Sequence, residues 1–431
     1  MLHDNLSVNE KGHLAFCGKD TVELAQKYGT PLMVLDEEGI RFQIRRYLRA
    51  MKVSFGEKSF PLYAGKALCI KEIYRIAKEE GIGVDLVSSG EIYTALSVGF
   101  PLSKAFFHGN NKTDADIKYA MDNGIGYFVT DNFEELNAVN EYAAQKGIIQ
   151  KIVLRLTPGI DPHTHAAIST GKVDSKFGVA IETGQADEIV AHAFGLKNVA
   201  LVGFHCHIGS QIFDIKPFTD AADIMIKYIG KVKEKFGREI EILNLGGGFG
   251  VRYVESDPVI NYEDNILRIS EHIKDYCSEK NIKMPVIVME PGRSVVAANC
   301  LTLYTAGSVK EIPGYKNYLS IDGGMGDNPR YALYKSCYTV LNAGKMNEPY
   351  DYKCVIAGRC CESGDLIQED VTIPKPQRND VIAVLVTGAY NYSMASNYNR
   401  LPRPAIVAID GQEEKIVVKR ETFEDLVRND V

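Results

Sequence analysis

The stretch SFPLYAGKALCIKEIYRIAKEE, residues Ser59–Glu80, contains a short apolar run followed by a segment with helical spacing. Ser59–Ala64 is mostly apolar or aromatic, which predicts a buried strand. Lys71–Glu80 has apolar side chains at helical intervals, which predicts an amphipathic helix. Lys66 follows the strand directly. The stretch is therefore typical of one strand–helix unit of an α/β protein.

The same unit recurs along the chain. Runs that predict strands are Ser59–Ala64, Gly83–Val87, Ala105–His108, Tyr127–Thr130, Ile152–Leu156, Leu201–His207, Ile240–Leu245 and Val286–Glu290. Segments with helical spacing are Lys71–Glu80, Glu91–Val98, Asp114–Asn123, Phe133–Lys146, Gly184–Phe194, Pro217–Lys235 and Tyr262–Glu279. Eight alternating units over roughly 230 residues predict a (β/α)8 TIM barrel, whose usual size is about 250 residues. An open doubly wound sheet is the alternative.

The pattern changes after Gly292, where helical spacing becomes scarce. Short strand-like runs follow at Leu301–Val309, Tyr318–Ile321, Tyr352–Ile356, Val381–Val386 and Ala405–Ile409, with a last helical segment at Thr422–Val427. This succession of short strand-like runs predicts a C-terminal, mainly antiparallel β domain. We therefore expect a barrel over residues 36–290 and a β domain over residues 1–35 and 291–431. Within the N-terminal part, Leu14–Leu35 is expected to lend a strand to the β domain.

Bulk composition excludes several classes of protein. The chain has 431 residues, 45% of them apolar and 24% charged, and a net charge of −7. Its basic residues are scattered, so no nucleic-acid partner is expected. There are nine cysteines and no CxxC pair, which argues against a structural zinc site or a disulfide scaffold and fits the cytoplasm. The polar N-terminus and the lack of long apolar runs predict neither a signal peptide nor a membrane span.

Polar side chains or glycines follow most of the predicted strands. In a barrel the carboxyl ends of all strands meet at one rim, where such enzymes carry their chemistry. The ordinary alternative is that polar loops simply begin there, which explains a Ser more easily than a Lys, a His and a Glu together. The strand-end residues are Lys66, Asp85, Ser88, His108, Gly109, Asn110, His207, Gly209, Ser210, Gly246, Gly247, Gly248, Glu290 and Arg293.

Two of these strand ends carry residue types suited to a Schiff base and to a phosphate. A partly desolvated lysine such as Lys66 can form a Schiff base, although a surface lysine starting the next helix is equally compatible. Gly246–Gly248 lets backbone amides approach a phosphate, the alternative being a tight turn. Val251 stands where the dinucleotide fingerprint requires glycine, so a single phosphate is favoured over a dinucleotide.

The last barrel strand and the CCESGD stretch add acid–base groups. Glu290 could face a pyridine nitrogen and keep it protonated, and Arg293 could bind phosphate or carboxylate; an ordinary ion pair is the alternative. Cys361 lies beside acidic residues, where a protonated thiol suits proton donation rather than nucleophilic attack. A buried structural cysteine is the alternative.

Two further patterns resemble known kinds of site. His205 and His207 point to one face of their strand, which allows a metal site, a core pair or stacking on a flat cofactor. No third ligand stands at a recognisable spacing, so no metal is predicted. Gly171–Lys172 resembles a P-loop only superficially, because Val173 replaces the required Ser or Thr, and a P-loop is rejected.

Taken together, ten stretches between about Pro31 and about Ala405 resemble the fold-type III pyridoxal-phosphate-dependent decarboxylases, and most closely the diaminopimelate decarboxylase family. The stretches are YAGKA, GVDLVSSGE, HGNNKT, TGKVDSKFG, HCHIGSQI, LNLGGGFG, EPGRS, GGMGDNPRYALY, CCESGD and GAYNYSMASNYN. The resemblance implies pyridoxal 5'-phosphate as cofactor, an amino acid as substrate, and a homodimer with shared active sites. The chain departs from the pattern at Pro329, which precedes Arg330 where relatives often have proline after it, and at Gly65, where many have valine.

The resemblance also implies a role for each matching residue. Cofactor binding falls to Lys66 (covalently), His207 (stacking on the ring), Glu290 (ring nitrogen), Ser210, Gly246, Gly247, Gly248 and Tyr390 (phosphate), and to Asp85, Gly292 and Arg293. Substrate binding falls to Arg293, Arg330, Tyr334, Glu362 and Tyr390. Cys361 matches the proton donor, and Cys361 and Glu362 would come from the partner subunit.

The implied activity is decarboxylation of meso-2,6-diaminopimelate to L-lysine and carbon dioxide, the last step of lysine biosynthesis. Two arginines suit a substrate with a distal carboxylate, which ornithine and arginine lack. The alternatives are a sister decarboxylase acting on ornithine, arginine or carboxynorspermidine, a racemase on the same barrel, and a non-catalytic relative that binds a partner protein. The presence of both Lys66 and Cys361 argues against the last of these.

Overall fold

The computed structural model describes residues 1–161 and 174–431. The rejected P-loop at Gly171–Lys172 and the first part of TGKVDSKFG lie outside the described residues. The chain divides into two compact units. The barrel unit comprises Gln43–Gly250 and Ile260–Gly292, and the β unit comprises Met1–Phe42, Val251–Val259 and Arg293–Val431. The predicted boundary at residues 36–290 stays a prediction.

The barrel unit is built on eight parallel strands. In chain order they are β1 (Phe60–Ala64), β2 (Gly83–Leu86), β3 (Ala105–Phe107), β4 (Tyr127–Thr130), β5 (Gln150–Thr157), β6 (Val199–His205), β7 (Ile242–Asn244) and β8 (Val286–Met289). Each strand pairs in parallel with the next, and β8 pairs with β1, so the sheet closes on itself. The predicted (β/α)8 barrel is confirmed, and the open-sheet alternative is wrong.

Helices follow the barrel strands in the predicted order. They are Lys71–Glu79, Ser89–Leu96, Asp114–Asp122, Phe133–Lys146, Gln185–Gly195, Lys216–Phe236 and Tyr262–Glu279, with a further short strand at Val179–Ala180 beside β5. Four of these helices begin with a side-chain cap, from Ser88, Thr113, Asn132 and Asn261, and Thr113 forms a capping box with Asp116. A packed apolar cluster takes one residue from each of seven strands: Leu62, Phe106, Val129, Val153, Val202, Ile242 and Val288. The barrel interior is therefore a solid core, and polar chemistry is confined to the strand ends.

The β unit contains a mixed, mainly antiparallel sheet. Its strands run in the spatial order Leu366–Ile373, Tyr352–Ala357, Asn317–Ile321, Cys300–Glu311, Leu32–Asp36, Ala405–Asp410 and Glu413–Val418, while Val381–Leu385 joins Cys300–Glu311 to Val340–Asn342. The predicted β domain is confirmed, although Leu366–Ile373, Val340–Asn342 and Glu413–Val418 were not predicted. Leu32–Asp36 lies centrally, antiparallel to Cys300–Glu311 and parallel to Ala405–Asp410.

Smaller elements complete the β unit. A three-stranded sheet forms from Leu6–Val8, Leu14–Phe16 and Lys19–Asp20. Helices are Thr21–Tyr28, Arg293–Val296, Arg330–Tyr334 and Phe423–Val427, and helix Glu37–Phe55 runs from the β unit into the barrel unit. Across residues 1–161 and 174–431, no helix combines the length and the apolar character needed to span a membrane.

Candidate active site

Four buried titratable side chains meet at the carboxyl ends of the barrel strands. Asp85 lies near the end of β2, His108 follows β3, His205 ends β6 and Glu290 follows β8. Because the strands are parallel, these positions share one rim. The sequence placed Asp85, His108 and Glu290 at this rim, and the structure adds His205 from within its strand.

Glu290 is the best-connected member of this group. Its Oε1 lies 2.9 Å from Nε2 of His108 and accepts a 2.7 Å hydrogen bond from the amide of Asn244. Its Oε2 lies 3.2 Å from Nε2 of His205. Burial alone would raise the pKa of Glu290, but the two histidines hold that pKa well below its usual range. Glu290 is therefore a fixed negative charge at the barrel rim.

The protonation of the neighbouring groups follows from burial. Burial lowers the pKa of His205 to about 3, so its ring is neutral at physiological pH and its Nε2–H donates to Glu290. Burial raises the pKa of Asp85, against the attraction of His108, which lies 3.8 Å from Oδ1 of Asp85. Within the described residues, Oδ1 of Asp85 and Nδ1 of His205 have no hydrogen-bond partner. Buried polar atoms in this state are sites that a polar ligand can satisfy.

The group formed by His108, His205 and Glu290 bears on the metal question raised by the sequence. The argument against a metal rested on the absence of a third ligand beside His205 and His207. The structure places His108 and Glu290 beside His205, with candidate ligand atoms within 4.8 Å of one another. His205 is hydrogen-bonded to Glu290, and Nε2 of His108 lies 2.9 Å from the same carboxylate, so the carboxylate draws both rings together.

Lys66 stands in a single 3-10 turn, Gly65–Ala67, directly after β1, and is partly buried. Burial, together with the charge of Lys66, keeps the pKa of His207 well below its usual value, so His207 presents a neutral ring. Gly65 has a steric explanation here, because a Cβ at this position would lie 2.5 Å from the Tyr74 hydroxyl and 2.9 Å from the Asp85 carbonyl.

The loop after β7 brings bare backbone close to the rim. Gly246 and Gly248 have φ angles of 68° and 125°, which favour glycine. Their carbonyls accept hydrogen bonds from the amides of Glu290 and Ile212, at 2.8 and 3.0 Å. A Cβ on Gly247 would collide with the Glu290 carbonyl. The amides of Gly246 and Gly247 donate to the side chains of Asn244 and His207, at 2.9 and 3.4 Å. The glycines are therefore required for packing within the rim, and the phosphate cradle stays a prediction.

In the β unit, Tyr390 lies beside two buried arginines. The guanidinium carbon of Arg293 lies 4.8 Å from the centre of the Tyr390 ring, and that of Arg330 lies 5.6 Å from it. Arg293 also donates a 2.7 Å hydrogen bond to the Tyr253 hydroxyl. Arg330 lies 5.2 Å over Tyr334 and lacks a hydrogen-bond partner at Nε among the described residues. This cluster suits recognition of carboxylate or phosphate oxygens.

Tyr390 holds an unusual backbone conformation. Its φ of 64° lies in the left-handed region, which costs a bulky residue of order 1–3 kcal/mol. The next residue, Asn391, is buried and accepts a hydrogen bond from the Tyr338 hydroxyl at 3.1 Å. The neighbouring structure thus holds Tyr390 in the conformation that places its ring beside both arginines.

Cys361 and Glu362 differ from all the residues above because both are exposed. The backbone amide of Cys361 donates a 2.7 Å hydrogen bond to Asn399. The alternative of a buried structural cysteine is wrong for Cys361, whereas Cys360 is buried.

Several residues of these two clusters escaped sequence reasoning. Glu91 and Asn244 lie within GVDLVSSGE and LNLGGGFG, two of the stretches that carry the family resemblance, but the sequence did not predict a role for either residue. Burial raises the pKa of Glu91 to about 7, while Lys66 opposes the shift. Arg155 on β5 stacks over Phe177 at 4.3 Å and acts electrostatically on Asp85 and Glu290. Tyr253 gave no local signal, because only long-range folding brings it to Arg293.

A closed (β/α)8 barrel with a strand-end lysine, a glycine-rich loop and a buried rim carboxylate is the arrangement expected of a pyridoxal-phosphate-dependent barrel enzyme. Residues 41–297 match the family model for the pyridoxal-binding domain of the pyridoxal-dependent decarboxylases. Diaminopimelate decarboxylase of Bacillus subtilis is 43% identical over 100% of this chain and 98% of its own length. The Bacillus methanolicus enzyme is 46% identical, over 97% and 96%.

Solved structures give the same picture. Diaminopimelate decarboxylase of M. jannaschii in complex with L-lysine superposes with a TM-score of 0.93 at 34% identity, covering 100% of this chain and 98% of that one. The Helicobacter pylori enzyme, also complexed with L-lysine, gives 0.85 at 31%, covering 95% and 98%. The chain belongs to the diaminopimelate decarboxylase family.

Proposed function

We propose that this chain removes carbon dioxide from meso-2,6-diaminopimelate and releases L-lysine, the last step of lysine biosynthesis. The observation that carries the proposal is the buried rim around Lys66 and Glu290, in a chain 43% identical to the Bacillus subtilis enzyme over its full length. We place this activity in the cytoplasm, in line with the cysteine content of the chain.

The barrel rim fits pyridoxal phosphate on its own geometry. Lys66 would hold the cofactor covalently, His207 would cover the ring, and Ser210 with Gly246–Gly248 would bind the phosphate. Among the described residues, Oδ1 of Asp85 has no hydrogen-bond partner, which leaves a buried acceptor that a polar ligand would satisfy. When bound, pyridoxal phosphate withdraws electrons from the substrate's α-carbon, which lets the carboxylate leave as carbon dioxide.

The protein's own groups would control charge and protons around that reaction. Glu290 carries a fixed negative charge, which would keep the ring nitrogen protonated, and His108, His205 and Asn244 hold its carboxylate in one orientation. Such preorganised charge is worth more in a buried site than in water. Cys361 would return a proton to the carbon that loses the carboxylate.

The β unit would select the substrate. Arg330, with Arg293, would pair with carboxylates, Glu362 would pair with the distal amine, and Tyr334 and Tyr390 would line the site beside the two arginines. Diaminopimelate carries both a carboxylate and an amine at its distal end, whereas ornithine and arginine offer no distal carboxylate. A buried arginine left without its anion disfavours those substrates.

We further propose that two copies of the chain assemble with shared active sites. Cys361 and Glu362 are exposed in one chain, where a proton donor and an amine partner would not be shielded from water. Leu333, Met394 and Tyr398 lie in the stretches that carry Arg330 and Tyr390, and they are 54%, 37% and 41% exposed. A second copy that covers this region would bury them and receive Cys361 and Glu362 in its own site.

Activity on a substrate panel tests the proposed reaction. Carbon dioxide release should be fast with meso-diaminopimelate and negligible with ornithine, arginine and carboxynorspermidine. Fast release from one of the latter would assign the chain to a sister decarboxylase, and no release from any of them would favour a non-catalytic role.

Mixed dimers test the shared site separately. Lys66→Ala and Cys361→Ala proteins should each be inactive, yet mixing and reassociating them should restore about a quarter of wild-type activity, because half of the dimers are mixed and each has one intact site. If no activity returns although mixed dimers are detected by mass, Cys361 serves its own subunit.

A further inference from the structure

Three loops of the β unit carry the residues proposed to contact the substrate. The arginine loop, residues 323–334, carries Arg330. The cysteine loop, residues 358–365, carries Cys361 and Glu362. The tyrosine segment, residues 388–400, carries Tyr390. These loops are far apart in sequence, so their mutual placement depends on the contacts that join them.

A single buried carboxylate joins the first two loops. Asp365 is 3% exposed, and its two oxygens accept hydrogen bonds from two different loops. Oδ1 accepts from the amide of Met325 in the arginine loop, and Oδ2 accepts from the amide of Cys360 in the cysteine loop, each at 2.6 Å. Hydrogen bonds to a charged acceptor are roughly twice as strong as neutral ones.

The backbone around Asp365 is shaped to this carboxylate. A Cβ on Gly324 would lie 2.5 Å from Oδ1 of Asp365, and a Cβ on Gly358 would collide with the same carboxylate. The main chains of the two loops also bond directly, since the amide of Arg359 donates to the carbonyl of Gly323 at 3.0 Å. Glycine in both loops therefore permits the approach that Asp365 fixes.

The tyrosine segment closes the arrangement. The amide of Ser396 donates to the carbonyl of Gly326 at 2.8 Å, which ties this segment to the arginine loop. Asn399 accepts from the amide of Cys361 at 2.7 Å, which ties it to the cysteine loop. Each loop thus contacts the other two, and Asp365 accepts one of the hydrogen bonds that cross between loops, from Met325.

We propose that Asp365 is a positioning residue that fixes the spacing between Arg330 and the Cys361–Glu362 pair. This inference rests on the proposed function, which assigns those residues to substrate binding and proton donation. If Cys361 and Glu362 serve the partner's site while Arg330 serves its own, Asp365 joins the binding loop of one site to the donor loop of the other.

Asp365→Asn tests the role with little change of shape. An asparagine side chain has one oxygen, so it cannot accept from both Met325 and Cys360, and its amide group would face an N–H. We expect KM for diaminopimelate to rise and kcat to fall, each by about 10-fold, because small misplacements of reacting groups cost rate steeply. The dissociation constant of L-lysine, measured by calorimetry, should rise with KM.

Asp380→Asn is the matched control. Asp380 also accepts a backbone amide, from Gln377 at 2.8 Å, and the side chain of Asn342 at 2.8 Å, but it joins no loop of the proposed site. This change should lower the melting temperature and leave kcat, KM and lysine binding unchanged. If Asp365→Asn behaves like Asp380→Asn, Asp365 merely stabilises the fold and the proposal is overturned.

A double-mutant cycle with Arg330→Lys sharpens the result. Arg330→Lys should raise KM less in the Asp365→Asn background than in wild type, because the arginine is already displaced there. Additive effects would contradict the proposal. If Asp365→Asn does not fold, Gly358→Ala is the second variant, because its added methyl group pushes against the same carboxylate. Folded Gly358→Ala protein should have a lower kcat than wild type. An unchanged kcat would overturn the proposal. Wild-type turnover of diaminopimelate is measured first, so failure of the proposed function is recognised separately.

Discussion

The barrel rim and the loops of the β unit organise charged residues in opposite ways. Asp85, His108, His205 and Glu290 are buried at strand ends, and Glu290 is held within the group by short contacts with both histidines. Cys361 and Glu362 are exposed on a loop whose position depends on Asp365. The rim is thus preorganised within one chain, whereas the loops depend on cross-links and, we propose, on a second copy. Substitutions at the rim should therefore affect chemistry most, and substitutions of the substrate-binding residues in the loops should affect binding most.

The largest effect is expected at Lys66. Lys66→Ala should lower kcat by more than about 10³-fold, since it removes the covalent attachment on which the chemistry depends. The visible absorbance band of the lysine-bound cofactor should vanish from the purified protein. Lys71→Ala, an exposed lysine five residues further on, should keep both the band and the activity. A band that survives in Lys66→Ala would show that another residue holds the cofactor.

Glu290→Gln comes next. Removing the fixed charge while keeping the shape should lower kcat by about 10²–10³-fold, the usual loss for a preorganised electrostatic group. Cofactor content, measured by absorbance after denaturation, should change little. Glu263→Gln, which alters a partly exposed pair with Arg46, serves as control. If Glu290→Gln keeps activity within a few fold of wild type, the negative charge of Glu290 is not important for the reaction.

In the loops, Arg330→Lys should act on binding rather than chemistry. The loss of a charge-assisted hydrogen bond is worth about 1.5–3 kcal/mol, or roughly 10–100-fold in KM for diaminopimelate. We expect kcat to change by much less, as measured in steady-state kinetics. A fall in kcat with an unchanged KM would show that Arg330 acts in the chemical step. The proposed difference between binding loops and a catalytic rim would then be wrong.

The smallest effect concerns stability at the rim. Burial raises the pKa of Glu91 from 4.5 to about 7. As pH rises from about 4.5 to about 7, the unfolded chain therefore releases its proton first, and folding stability falls. In cofactor-free protein, Glu91→Gln should melt roughly 2–4 °C above wild type at pH 8 and close to it at pH 4. If wild type and Glu91→Gln have identical melting curves at both pH values, ionisation of Glu91 costs the folded protein little stability.

The barrel was predictable because its signal is local. Each strand is a short apolar run, and each helix has apolar residues at helical intervals. Because parallel strands end at one rim of a barrel, the positions of Lys66 and Glu290 after their strands were enough to predict that both lie at that rim. The strand bounds shifted by one or two residues; the sixth run was predicted to His207 and ends at His205. Such shifts arise because the sequence shows which residues are apolar, not where hydrogen bonding stops.

The β unit was less predictable because its contacts are long-range. Glu413–Val418 is an edge strand with no buried residue and no regular alternation, and Val340–Asn342 is too short to show any period. Tyr253 reaches Arg293 only through the placement of residues 251–259. The role of Asp365 could not be predicted from the sequence. Its carboxylate accepts from the amides of Met325 and Cys360, and these contacts are visible only in the folded structure.

The division of the chain also governs how the protein can be made. The chain passes between the two units four times, after Phe42, Gly250, Val259 and Gly292. Leu32–Asp36 precedes the barrel strands in the chain, whereas both of its sheet neighbours, Cys300–Glu311 and Ala405–Asp410, follow them. During translation this strand must therefore wait unpaired while the whole barrel sequence emerges. Neither unit can therefore be produced as one uninterrupted gene fragment, and a chain truncated before Ala405 leaves an open edge on Leu32–Asp36.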